Sequence, residues 1–139
     1  MRKIILTICI VLFAVFTIKA GGNEPNPQND STFAQLTFQT TIHDYGQVVK
    51  TESNNAPAGD YTFTFTNTGT KPLTIDSIKT SPDYVTVTWT NTPVSPNSTG
   101  TITVNYNTTA LGIINKQIDI FSNAINSPVV LTIVGNVTD

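Results

Sequence analysis

Apolar and polar positions alternate one for one through most of the chain. Ala34, Leu36 and Phe38 alternate with Gln35, Thr37 and Gln39. Tyr61, Phe63 and Phe65 alternate with Thr62, Thr64 and Thr66, and Val85, Val87 and Trp89 with Thr86, Thr88 and Thr90. Ile102, Val104 and Tyr106 repeat the pattern, as do Ile118 and Ile120, and then Val129, Leu131 and Ile133. Leu73, Ile75 and Ile78 form a less regular run. An amphipathic helix needs apolar spacings of three and four, which none of these segments supplies. Period two means strands with one face buried and one face in water.

Turn chemistry separates the runs. Asn67-Thr68-Gly69-Thr70-Lys71-Pro72 closes one strand, Ser81-Pro82-Asp83 opens another, and loops are expected at residues 93–100, 110–112 and 122–128. About seven short strands in roughly 100 residues predict an all-β fold, an immunoglobulin-like antiparallel β-sandwich. The Cys…Trp…Cys pattern of antibody domains is absent, so the expectation concerns architecture alone. By the alternation, Trp89 is expected in the core as an anchor, and Tyr84, of opposite parity, on the surface.

The first residues follow a different logic. Arg2 and Lys3 precede an apolar run over residues 4–18, and Lys19, Ala20 and two glycines follow. That order predicts a signal peptide over residues 1–20, cleaved after Ala20. The run is shorter than the ~20 residues a membrane-crossing helix needs, so no membrane span is expected after cleavage. Residues 21–31 read GGNEPNPQNDS, an expected flexible leader, and the sandwich is placed at residues 32–139. Cys9 lies inside the apolar run, preceded by Leu6-Thr7-Ile8, which is the wrong setting for lipid attachment. The mature chain would carry no cysteine and would rely on its core in an oxidising compartment, periplasmic or secreted.

Cleavage also removes three of the seven basic residues, leaving four lysines against nine carboxylates, a formal charge of −5. Such a surface does not suit nucleic acid or anionic membranes, where phosphate neutralisation dominates affinity.

The order of motifs resembles a known family. Ile42-His43-Asp44-Tyr45-Gly46-Gln47-Val48 looks like the "hDFG-x-I" opening of a bacterial family, domain of unknown function 1573, common in secreted proteins of Bacteroidetes. The run from Tyr61 to Leu73, YTFTFTNTGTKPL, is similar to its "hxFxFxNTGxxPL" strand and turn. Pro96-Asn97-Ser98-Thr99-Gly100 stands in the place of its "PGxSG" loop, and Tyr106-Asn107-Thr108 of its "yNT" element. Asn115-Lys116 with Ile118, Ile120 and Ser122-Asn123 resembles "NKxixixSN", and Leu131-Thr132-Ile133-Val134-Gly135-Asn136-Val137 the closing "LxIkGxV" strand. The resemblance implies an immunoglobulin-like sandwich, related in shape to domains of cilia- and sperm-associated scaffold proteins, and no known catalytic activity. One departure stands out. Where relatives often carry Cys-Gly-Cys-Thr, Ser81 is followed here by Pro82-Asp83-Tyr84-Val85, so a metal or redox role for that pair does not carry over.

Candidate chemistry is sparse. His43 is the single histidine, and without a mature cysteine it cannot build a usual zinc site. No nucleophile-elbow sequence accompanies it. The nine carboxylates show no D-x-D spacing and no EF-hand-like loop. Asp44 and Asp60 are expected to pin turns through backbone N–H groups. No catalytic, cofactor-binding or metal residues are assigned, and no enzymatic activity or cofactor is expected. Asn29, Asn97, Asn107 and Asn136 each begin an N-x-S/T triplet, a chance product of a Thr- and Asn-rich chain, and no modification is expected there. The expected function is a non-enzymatic interaction or structural module outside the cytoplasm, its partner another envelope or extracellular protein. The alternative is a carbohydrate-binding or adhesive module, with polysaccharide as the partner.

Overall fold

A computed structural model describes residues 32–52 and 59–139; the signal-peptide and leader expectations fall outside these residues. Eight strands follow in order: β1 (Leu36–Phe38), β2 (Ile42–Val49), β3 (Asp60–Asn67), β4 (Ile75–Lys79), β5 (Val85–Trp89), β6 (Thr99–Tyr106), β7 (Gly112–Ser122) and β8 (Val129–Thr138). They form two four-stranded sheets, β1-β3-β6-β5 and β2-β8-β7-β4. Taking β1 and β3 to β8 as strands A to G, the sheets are A-B-E-D and C-F-G, the strand order of constant-type immunoglobulin sandwiches. The expected architecture is therefore observed.

The eighth strand is β2. After Phe38 the chain leaves the first sheet, turns at Thr40, whose hydroxyl accepts from Ile42 N–H at 3.3 Å, and joins the other sheet parallel to β8. The opening edge is thus shared between the sheets. Strand β2 does not alternate cleanly because its register shifts between Asp44 and Gln47, around Gly46 with φ of 64°. His43 and Tyr45 face inward before the shift and Val48 after it.

The core lies between the sheets. Phe63 and Phe65 from β3, Ile102 and Val104 from β6, Ile118 and Ile120 from β7, and Leu131 and Ile133 from β8 are essentially inaccessible. Each such side chain contributes roughly 1.5–3 kcal/mol by leaving water. Gly100 is required by this packing: a Cβ there would lie 2.3 Å from the Phe65 ring.

Asn67 holds one end of the sandwich. It is fully buried, donating from Nδ2 to the Lys71 carbonyl at 2.7 Å and the Val94 carbonyl at 2.9 Å. Its Oδ1 accepts from Gly69 N–H at 3.0 Å and Gln35 N–H at 3.3 Å. Asn67 thereby ties together the segment before β1, the β3–β4 turn and the loop before β6. At the same end Asn126 brackets Leu36, accepting its N–H at 3.1 Å and donating to its carbonyl at 2.7 Å. Among the described residues no helix is long and apolar enough to cross a membrane.

Candidate functional site

His43 sits at the start of β2 with its ring stacked on Tyr61, centroids 3.5 Å apart and planes 11° from parallel. The edge of Tyr45 completes the cluster at 4.5 Å. Tyr45 in turn donates its hydroxyl to the Gly59 carbonyl at 2.7 Å. Partial burial lowers the His43 pKa, and the neighbouring Asp44 carboxylate opposes that shift. Burial, with Asp60 and Tyr61 nearby, pushes the Tyr45 hydroxyl well above its ordinary range. The imidazole is thus a neutral plate in an aromatic stack.

The adjacent carboxylates are engaged elsewhere. Asp44 accepts Gly46 N–H at 2.7 Å and pins the left-handed turn within β2, as expected. Asp60 differs from expectation: it accepts the Asn105 side-chain amide across the β3–β6 ladder, where the two residues are register partners. Asn97, which stands where the resembling loop has glycine, takes the left-handed conformation at φ 61°.

The Thr80–Trp89 stretch follows β4, turns and forms β5. Tyr84 is 38 % exposed and stacks on Tyr106 at 6.1 Å, with the Lys116 ammonium 5.2 Å from its ring. Val85 is buried, whereas Val87 and Trp89 are only half-buried against the core. Trp89, expected in the core as an anchor, packs against the core from a half-buried position. Strand β5 is an edge, so one flank of each inward side chain lacks a neighbouring strand.

Two features of the surface remain. On the outer face of the first sheet, Asp60, Thr86, Thr88, Thr103 and Asn105 line an open depression of about 260 Å³. Thr62 and Thr103 share a hydroxyl hydrogen bond of 3.0 Å beside it. On the outer face of the second sheet stand exposed aliphatic residues: Ile42, Val49, Val130 and, 82 % exposed, Ile113, with Leu111 exposed just before β7. Val49 pairs with Thr138 and Ile113 with Asn136, so both border the last turns of β8 from opposite sides. These residues carry a signal in the sequence. Val48-Val49, Ile113-Ile114 and Val129-Val130 are adjacent apolar pairs, and a strand of period two must turn one member of each outward.

Among the described residues no group of three or more His, Cys, Asp and Glu side chains is placed to hold a metal ion.

The fold recurs in solved structures. A protein of unknown function from Porphyromonas gingivalis matches with a TM-score of 0.61 at 17 % identity, covering 84 % of this chain and 51 % of that one. The secreted serine protease VesC from Vibrio cholerae matches at 0.51 and 19 % identity, over 82 % of this chain and 25 % of the protease. A family 123 glycoside hydrolase from Clostridium perfringens matches at 0.50 and 8 % identity, over 76 % of this chain and 27 % of the hydrolase. The chain therefore spans between a quarter and about half of the length of these structures. No curated protein matches it in sequence. The model of a protein family of unknown function, DUF1573, matches residues 36–137, from the first residue of β1 almost to the end of β8, and the chain belongs to that family.

Proposed function

We propose that the chain is a non-enzymatic extracytoplasmic module that binds another protein of the envelope or exterior. The observation that carries this reading is the set of exposed aliphatic residues on β2, β7 and β8, led by Ile113 and Val49. His43 is stacked on Tyr61, and Tyr45, Asp44 and Asp60 are hydrogen-bonded within the fold, whereas these apolar groups meet water. Apolar groups on a sheet face lower their free energy when a partner covers them, at roughly 25 cal/mol per Å² of surface removed from water. The amino-terminal pattern of Arg2, Lys3, the apolar run and Ala20 supports export, to the periplasm or beyond, by a cleaved signal peptide. In the protease and the hydrolase of like fold, the matched sandwich is about a quarter of the chain. That proportion agrees with a module that accompanies other functions.

The test is affinity capture from the host's own envelope fraction, with a Val49→Glu/Ile113→Glu variant in parallel. The reading expects a protein retained by the native chain and lost with the variant. Retention of polysaccharide and no protein overturns it. That second outcome is the carbohydrate-binding reading, favoured by the hydroxyl- and carboxylate-lined depression at Asp60, Thr86 and Thr103.

A further inference from the structure

The four edge strands of the sandwich are not alike. Unpaired strand edges invite pairing with other chains, and proteins blunt them with short strands, charges, prolines or bulges. Strand β1 has three residues. Strand β2 carries Asp44, the left-handed Gly46 and a shifted register. Strand β4 carries Asp76 and Lys79 and a register shift between Ile75 and Ser77. Strand β5, Val85-Thr86-Val87-Thr88-Trp89, has no charge, no proline and an unbroken register against β6.

The backbone of β5 presents a defined set of free groups. Asn107 N–H bonds the Tyr84 carbonyl at 2.8 Å, and Thr90 N–H bonds the Thr101 carbonyl at 3.0 Å. In an antiparallel ladder the bonded pairs alternate. Residues 84, 86, 88 and 90 therefore bond toward β6, and Val85, Val87 and Trp89 direct N–H and C=O away from it; of these groups the Val85 N–H is taken by the Ser81 carbonyl at 3.3 Å. Beside these open groups, the side chains of Val87 and Trp89 are half-buried at the rim of the core.

We propose that β5 is a self-pairing edge, whose occupant is β5 of a second copy of this chain, antiparallel and centred on Val87. The sequence of the strand is self-complementary in that register. Val87 meets Val87, and Val85 meets Trp89, on the inner face; Thr86 meets Thr88 on the outer face. Each directly opposed pair is apolar with apolar or hydroxyl with hydroxyl, and no like charges oppose one another. The open groups of each strand, the Val85 carbonyl and the N–H and carbonyl of Val87 and Trp89, bond across the axis, giving about four new hydrogen bonds. A two-fold axis through Val87 closes the contact and stops further growth, as an isologous interface requires. The result is one continuous sheet of eight strands, β1-β3-β6-β5-β5-β6-β3-β1, which covers the exposed flanks of Val87 and Trp89. A five-residue ladder is a small interface, so the dimer is of the weak, concentration-dependent kind. This proposal goes beyond the binding of a foreign partner and rests on a different surface.

Sedimentation velocity of the purified protein over a rising concentration series tests it. A species of twice the monomer mass should grow with concentration. Thr86 and Thr88 are exposed on the outer face, so substitutions there leave the core intact. The variant T86K/T88K opposes lysine to lysine in both outer pairs and should be monomeric throughout, with an unchanged melting temperature. The variant T86K/T88E opposes lysine to glutamate in the Val87-centred register and should dimerise at least as well as the native chain. A native chain that stays monomeric into the hundreds of micromolar overturns the proposal. So does a T86K/T88K variant that still dimerises, or a T86K/T88E variant that does not. Capture of an envelope protein by a monomeric native chain would overturn self-pairing while upholding the proposed function.

Discussion

Replacing Asn67 by alanine removes four hydrogen bonds from the interior at once. The consequences for the four partners differ. The Val94 carbonyl keeps a second donor, Leu73 N–H at 2.9 Å. The Gly69 N–H, buried, loses its acceptor, which costs about 1–3 kcal/mol. The Lys71 carbonyl and Gln35 N–H are part-buried, so water replaces some of the loss, and together they cost about 1 kcal/mol. The emptied volume adds about 1 kcal/mol. Asn67→Ala should therefore destabilise by about 3–5 kcal/mol, a large share of the 5–15 kcal/mol a domain possesses. At about 4 °C per kcal/mol for a domain of this size, the melting temperature falls by roughly 12–20 °C. The control is Thr68→Ala, next in sequence, whose exposed hydroxyl pairs with that of Thr37 at 2.8 Å and should cost about 0.5 kcal/mol. Urea denaturation of both variants measures the contrast. A loss below about 1 kcal/mol for Asn67→Ala, indistinguishable from the Thr68 control, would refute the claim that Asn67 holds this end of the sandwich.

Three further outcomes follow from the packing and the charges. Gly100→Ala drives a methyl group into the buried Phe65 ring and should cost about 1–3 kcal/mol in urea denaturation; a neutral effect would mean the ring has room to move. The imidazole of His43 is held below its ordinary value of 6.5 by burial, so the unfolded chain takes up that proton first as pH falls. Stability should accordingly be full above about pH 6.5 and decline below it, and His43→Gln should flatten thermal stability between pH 7.5 and 5.5. An identical slope in the variant would remove His43 as its source. Ile113→Lys, at a position 82 % exposed, should change stability by no more than about 0.5 kcal/mol yet abolish capture of an envelope partner. Undiminished capture would move the contact off this face.

The sandwich was legible because most strands bury one face cleanly, and Phe63, Phe65, Ile102 and Val104 lie where period two puts them. Strand β2 was not legible as a strand. Its inward residues change parity across Gly46, since a register shift inserts an extra position that no alternation template follows. The Asn67-Thr68-Gly69 turn was readable from its residue types. The burial of Asn67 was not, because Val94 and Gln35 reach it only when loops distant in sequence converge. Asp60 was read as a turn pin for the same reason: its bond to Asn105 depends on the β3–β6 register, a property of two segments together.

Trp89 shows where the remaining information lies. Alternation assigns each strand residue to one of two faces, and it placed Trp89 inward, where it is. How deeply an inward residue is buried depends on a third direction, along the sheet, toward the next strand. Every residue offers the same N–H and C=O in that direction, so hydrophobicity says nothing about it. Charges, prolines and broken registers are the marks a chain leaves there, because they are what keeps an edge from being paired. Strands β2 and β4 carry such marks and β5 carries none. The Val-Thr-Val-Thr-Trp run thus does two things with one pattern. Its period supplies an inner face for the core, and its uniformity leaves the edge free to meet a strand like itself.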